Sequence, residues 1–273
     1  MPTLLAYRDY SGLGDWIMAT AVLKMVNHQY PDMEIFIHRR HTTPLIREIV
    51  EQSGLRFTGW RDGRRRPEDF HFASGHMLYA DVFRATRRGQ VLERHFMEDM
   101  VRTFNRNTGL ALHYEPDTFC TFTGTEVAVD VADDYILMVS SGKRWVYTGG
   151  KDWRRRHFRR LAERLARHGP VVQIGAAGDP PLPAARHHYL GLPLASLHFL
   201  MRRARLFVGL DNGLSHWAGH HGFPTFTIYC GRFEHPVHSI YPGQVPVVAR
   251  DVTAVYEAIR AGADPPLPES RSD

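Results

Sequence analysis

Three short stretches of the chain hold residue types that can do chemistry. In Ser11-Gly12-Leu13-Gly14-Asp15 a carboxylate follows two glycines, where the apolar run Thr3 to Tyr7 hands over to a longer apolar segment. Glycines at such a turn let a ligand approach the backbone, and the helix dipole stabilises a carboxylate in the first turn. Asp15 therefore reads either as a helix cap or as a general base, and the spacing leaves both open. Gly12 and Gly14 do not form a dinucleotide fingerprint, because the third glycine of Gly-x-Gly-x-x-Gly is missing.

The second stretch is Ser140-Ser141-Gly142-Lys143, followed by Lys151-Asp152-Trp153. Small hydroxyl residues after a strand, with a lysine at the approach to a helix, suit phosphate oxygens. The third is Gly209-Leu210-Asp211-Asn212-Gly213-Leu214-Ser215-His216. Here the backbone N–H groups of Gly213, Leu214 and Ser215 are expected to be free to face an anion, with Asp211 or Asn212 accepting from sugar hydroxyls. Other conspicuous residues read as structural. Arg154, Arg155, Arg156, Arg159 and Arg160 read as a solvated helix face before a nucleic-acid stripe, Arg61 to Arg66 as a solvated loop before a dock for an anionic acceptor, and Trp16 and Trp153 as core residues before stacking partners of sugar or base. His187-His188 and His220-His221 do not set two imidazoles on one side of a helix, so no metal site is expected.

The elements that must position these stretches alternate. Strands are expected at Thr3 to Tyr7, Glu34 to His38, Leu55 to Trp60 and Asp69 to Phe72. Helices are expected over Trp16 to Val26, from Thr43-Pro44 to Gly54, and along Leu92, Phe96, Met100, Val101 and Phe104 until Gly109. Glu115 to Asp134 lacks a period and reads as a linker. A second series follows: strands at Tyr135 to Val139, Pro170 to Gly175, Leu206 to Val208 and Thr225 to Cys230. Its helices are a stripe from Phe158 ending near Gly169, Ser196 to Arg203, one from about Leu214, and Val252 to Arg260. Such alternation implies parallel sheets covered by helices on both faces. The expected domains are 1–125 and 126–262, with a loose tail at 263–273.

A composition of 43% hydrophobic, 11% aromatic and 23% charged residues over 273 positions excludes a disordered, collagenous or coiled-coil chain. The net charge of +5 suits an anionic partner such as a nucleotide, a phosphorylated glycan, a membrane surface or nucleic acid. Two cysteines without a Cys-x-x-Cys spacing support neither a disulfide framework nor a structural zinc site. No run reaches the about 20 apolar residues that span a bilayer, and no signal peptide is evident. A cytoplasmic protein, at most peripheral to the inner membrane, is expected.

Gly12-Leu-Gly-Asp15, Lys151-x-Trp153 and Gly209-Leu-Asp-Asn-Gly-Leu-Ser-His216 followed by Gly222-Phe-Pro-Thr225 together resemble glycosyltransferase family 9, the ADP-heptose:lipopolysaccharide heptosyltransferases. The resemblance implies the GT-B architecture, two Rossmann-like domains with parallel sheets facing across a cleft. It also implies an inverting, metal-independent transferase without a cofactor, with the acceptor on the first domain and a nucleotide-sugar donor, ADP-heptose first, on the second. By position it makes Asp15 the base that deprotonates the acceptor hydroxyl, with Gly12 and Gly14 on the acceptor side. Ser141 and Lys151 match residues that bind or neutralise the diphosphate, and Gly213, Leu214 and Ser215 match the helix start that cradles it. Asp211 falls near the sugar, and His216 completes the pattern. The chain departs from that pattern at Val139-Ser140-Ser141, where the family has His-Pro-Gly, at Arg154 in place of proline, and at Asn212. The acceptor is expected to be anionic or a glycan, as in lipopolysaccharide assembly. A protein, natural-product or modified-DNA acceptor with another nucleotide-sugar, or nucleotide-sugar binding without turnover, are the alternatives.

Overall fold

The computed structural model describes residues 3–7, 12–39, 42–61, 70–74, 81, 84, 85, 88, 90, 93–140, 153, 155–230 and 236–263. The chain divides between Gly124 and Thr125 into two compact units, each built on its own parallel sheet.

The first unit runs β1 (Thr3–Tyr7), α1 (Leu13–Gln29), β2 (Glu34–His38), α2 (Pro44–Glu51), β3 (Gly59–Arg61), β4 (Phe70–Ser74) and α3 (Phe96–Thr108). Its strands lie in the order β3-β2-β1-β4, all parallel. α1 is apolar nearly all round, and every residue from Trp16 to Leu23 is buried, as a helix without a polar face must be. It packs against α2 and α3. Thr43 caps α2 by accepting the Ile46 N–H at 3.3 Å, with Pro44 inside the first turn. α3 begins at Phe96, where His95 Nδ1 accepts the Met97 N–H at 3.1 Å, and it ends at Gly109 with φ 72°. The strand expected from Leu55 to Trp60 shrinks to the three residues of β3, which pair only with Phe36 to His38 of β2. Leu55 is buried without joining a ladder.

The second unit runs β5 (Ile136–Val139), α4 (Arg155–Leu165), β6 (Val171–Gly175), β7 (His187–Leu190), α5 (Leu194–Arg203), β8 (Leu206–Leu210), α6 (Gly213–His220), β9 (Thr225–Tyr229), β10 (Gln244–Val248) and α7 (Val252–Gly262). A 3₁₀ turn at Pro236–His238 precedes β10. The order is β10-β9-β8-β5-β6-β7, again all parallel. β5, β8 and β9 are buried at every position; β5 and β8 therefore read as apolar runs, whereas β9 keeps Thr225 and Thr227 among its buried residues. Phe158, Leu161, Ala162 and Leu165 turn the apolar stripe of α4 into a core shared with Ile136, Met138, Val208 and Ile228. Arg155, Arg156, Arg159 and Arg160 are exposed on its other side. α4 stops at Leu165, short of the expected end near Gly169.

Sequence reading does not foresee β7 and β10, and both are edge strands. β7 reads His-His-Tyr-Leu, with no apolar run, and β10 carries Pro246 in its middle. A proline within a strand is tolerated at an edge, where no neighbour needs its missing N–H.

Within the expected linker, the ties change partner at the boundary. Thr123 gives its N–H and hydroxyl to the Gln52 carbonyl at 2.7 and 3.1 Å, and Lys24 Nζ reaches Thr121 Oγ1 at 3.2 Å. Beyond Gly124, Arg202 grips Glu126 through Nε and Nη2 at 2.6 and 2.7 Å. That guanidinium holds the Glu126 carboxyl below its usual range. Tyr189 then donates to the Asp130 carbonyl and Arg203 pairs with Asp133. Among the described residues no helix is long and apolar enough to cross a membrane.

Candidate functional site

In a parallel sheet the carboxyl ends of two neighbouring strands open a crevice wherever the chain reverses its direction of travel across the sheet. In the first unit β1, β2 and β3 step one way and β4 lies on the other side of β1. The reversal is therefore beside β1, the strand that leads towards Gly12 and Asp15. In the second unit β5, β6 and β7 step one way and β8, β9 and β10 the other. That reversal lies between β5 and β8, whose carboxyl ends run into Ser140 and Asp211. Among the described residues, Gly12 to Asp15, Ser140 and Asp211 thus follow, in chain order, the strands beside the two switch points.

Asp15 is the third residue of α1, and its Oδ2 accepts the Gly12 N–H at 2.7 Å. The carboxylate closes the helix start by reaching back to the residue that precedes it. Gly12 has an ordinary extended backbone, φ −79° and ψ 170°. A Cβ there would stand 3.3 Å from Asp15 Oδ2, so glycine leaves room for the carboxylate. Gly14 is buried in the same turn. Trp16 is only 1% exposed, as a core tryptophan would be. The cap reading of Asp15 is realised, and the residue is only partly buried, so solvent reaches it.

At the second switch point the strands approach closely. A Cβ on Gly209 would run into Val139 Cγ1 and would stand 3.3 Å from Ser215 Oγ. Glycine therefore lets the end of β5 and the start of α6 close over β8. The expectation of free helix amides is corrected here. Asn212 caps α6, its Oδ1 accepting from Leu214 N–H at 2.9 Å and Ser215 N–H at 3.1 Å. Of the three amides only that of Gly213 is not engaged by this cap. The Ser215 hydroxyl donates to the Leu210 carbonyl at 2.5 Å, which ties helix to strand.

Asp211, 6% exposed, belongs to a buried polar chain. Ser239 Oγ donates to its Oδ1 at 3.2 Å, and His216 Nε2 lies 3.3 Å from the same oxygen. His216 Nδ1 meets Tyr241 OH at 2.7 Å, and Ser239 Oγ meets Tyr229 OH at 3.2 Å. Gln244 Nε2 completes the enclosure by donating to the Ser215 carbonyl at 2.7 Å. Both Asp211 and His216 thus hold the loop in shape; their partners Ser239 and Tyr241, and the supporting Tyr229 and Gln244, carry no site role in the sequence reading. They arrive from β9 and the segment after it, and no motif spacing marks them.

Ser141, Gly142, Lys143, Lys151, Asp152 and Arg154 lie outside the described residues, as do Ser11, Leu92, positions 62–66 and positions 264–273. Trp153 is buried, with Nε1 donating to the Arg250 carbonyl at 2.9 Å. His188 faces Gln173, His187 stacks with Tyr189, His220 packs on Tyr241, and His221 Nδ1 meets the Trp217 carbonyl. Among the described residues no group of three or more His, Cys, Asp or Glu side chains is arranged to hold a metal ion.

No protein-family model matches the chain, and no curated protein does. Solved structures do. ADP-heptose lipopolysaccharide heptosyltransferase II of E. coli superposes with a TM-score of 0.62 at 13% identity, over 94% of this chain and 98% of that one. E. coli heptosyltransferase WaaC with ADP gives 0.62 at 13% identity, over 96% and 99%. A glycosyl transferase family 9 structure from Veillonella parvula gives 0.58 at 13% identity, over 90% and 85%. At these identities the likeness is one of fold: the chain shares the GT-B-like architecture of two α/β units on parallel sheets.

Proposed function

We propose that the chain is an inverting glycosyltransferase that moves a sugar from a nucleotide-diphosphate donor to an acceptor hydroxyl. The observation that supports this reading is that Gly12 to Asp15, Ser140 and Asp211 follow the strands beside the switch points of a GT-B-like chain. In the proposed reaction Asp15 takes the proton of the acceptor hydroxyl as its oxygen attacks the anomeric carbon. The bond from that carbon to the diphosphate breaks, and the loops after β5 and β8, with Ser141 and Lys151, hold the departing charge. ADP-heptose is the first donor to try, on the strength of the fold relatives, and a lipopolysaccharide or other anionic glycan is the first acceptor.

The test is a thermal-shift panel of the purified protein with ADP, UDP, GDP, dTDP, CMP and ADP-heptose, with and without magnesium. A ligand that binds only the native state, at about a hundred times its dissociation constant, adds about 2.7 kcal/mol. Stabilisation by ADP, and more by ADP-heptose, without need of metal is the expected result. Stabilisation by another nucleotide replaces the donor, and no shift with any of them removes the reading.

A further inference from the structure

The polar side chain most completely enclosed in the second unit is not in any of the three stretches. Gln173 sits in the middle of β6 with 0% of its surface exposed, and each end of its amide is engaged twice. Nε2 donates to Ser140 Oγ at 3.0 Å and to the Pro180 carbonyl at 3.0 Å. Oε1 accepts the Leu182 N–H at 2.7 Å and lies 2.9 Å from His188 Nδ1. The Leu182 donor and the Pro180 acceptor fix which way round the amide lies, because turning it would set donor against donor and acceptor against acceptor. His188 must then carry its proton on Nδ1.

The same orientation fixes Ser140. Its oxygen receives a hydrogen from Gln173, so its own hydroxyl hydrogen is left to donate, and among the described residues it meets no acceptor. Ser140 is partly exposed at the carboxyl end of β5, one of the two strands that define the switch point. A buried glutamine whose four hydrogen bonds are all spoken for is a rigid mount. It cannot turn its oxygen to accept from the Ser140 hydroxyl without breaking its bonds to the Pro180 carbonyl and the Leu182 N–H.

The geometry points to Ser140 as a hydrogen-bond donor to a diphosphate oxygen, and to Gln173 as the residue that positions it. This rests on the proposed nucleotide-diphosphate site and adds to it a donor and a support. A hydroxyl whose oxygen is already held by Gln173 loses little freedom on binding, and a bond to an anion is charge-assisted.

The experiment measures the dissociation constant of ADP, or of whichever nucleoside diphosphate the wild type prefers, by calorimetry. The unfolding midpoint of each ligand-free variant is measured alongside. Ser140→Ala is expected to weaken binding by about tenfold to a hundredfold and to lower the ligand-free midpoint modestly, because the Gln173 amide loses one acceptor, and Ser140→Thr to restore most of both. Gln173→Met, or Gln173→Glu if the apolar variant does not fold, is expected to weaken binding when Ser140 is present and to add nothing to Ser140→Ala. Unchanged affinity in Ser140→Ala overturns the inference while the proposed function stands. Equal losses from the Gln173 variant in both backgrounds overturn the positioning role. A wild type that binds no nucleoside diphosphate overturns the proposed function and this inference together.

Discussion

Asp15 performs a structural task that one substitution preserves and another destroys. Asn at position 15 keeps an oxygen for the Gly12 N–H but cannot take up a proton, whereas Ala removes both. Under the proposed mechanism both Asp15→Asn and Asp15→Ala lose about 10²- to 10⁴-fold in turnover of the sugar donor. Only Asp15→Ala should lower the unfolding free energy, by about 0.5–2 kcal/mol. Turnover assays beside urea titrations separate the roles, and an active Asp15→Asn would reduce the residue to a cap. Gly209 offers a second check at this scale. A methyl there meets Val139 Cγ1, and valine has little rotamer freedom with which to yield. Gly209→Ala should cost about 1–3 kcal/mol in a denaturant titration. The glycines and Asp15 were legible because turn residues keep a fixed offset from strand ends. Gln173 was harder: its only signal is a polar residue inside Val171-Val-Gln-Ile-Gly175. The ring of Tyr229, Ser239, Tyr241 and Gln244 around the third stretch leaves no local trace, because tertiary contact alone brings it there.

At the scale of elements, α6 shows how a short helix can spend amides that sequence reading assigns to a ligand. Asn212→Ala should lower the stability of the ligand-free protein by about 1 kcal/mol by releasing the Leu214 and Ser215 N–H groups. A drop in the unfolding midpoint with retained cooperativity is the expected readout. An unchanged midpoint would mean that solvent replaces the cap at no cost. The strands themselves were legible in proportion to their burial. β5, β8 and β9 lie inside the sheet, so their side chains are buried on both faces; the apolar run shows in β5 and β8 and is interrupted in β9 by Thr225 and Thr227. β3, β7 and β10 lie at edges, where Trp60, His187, His188 and Pro246 are tolerated, and the hydrophobic pattern fades. Helix α1 was legible for the opposite reason to most helices: it has no polar face to set a period, only length without a break.

At the scale of the whole molecule, two histidines, His198 and His168, make stability depend on pH. His198, on α5, packs against Trp217, His221 and Phe223, with Nε2 3.6 Å from Glu126 Oε1. Burial lowers its pKa from the ordinary 6.5, Glu126 opposes that shift, and Arg202 adds to it. The unfolded chain then takes up this proton at a higher pH than the folded one. The stability contributed above about 6.5 is lost as pH falls through the lowered folded value. His168 acts in the same direction, mainly through burial and then through Arg205, Arg260 and Arg167. Unfolding free energies measured between pH 7.5 and 5.5 should decline, and His198→Asn should make the decline shallower. An identical slope in that variant would remove His198 from the account.

The change of partners in the segment after Thr121 has a practical side. Thr121 and Thr123 are tied to elements of the first unit, and Glu126, Asp130 and Asp133 to elements of the second. Severing the peptide bond between Gly124 and Thr125 therefore breaks none of these ties. A gene fragment encoding 125–273 alone should yield a protein that melts in one cooperative step. Under the proposed function, because it carries the loops after β5 and β8 in full, it should still bind the nucleotide that the whole chain binds while showing no transfer activity. Such a half-molecule would let the donor be identified before any acceptor is known.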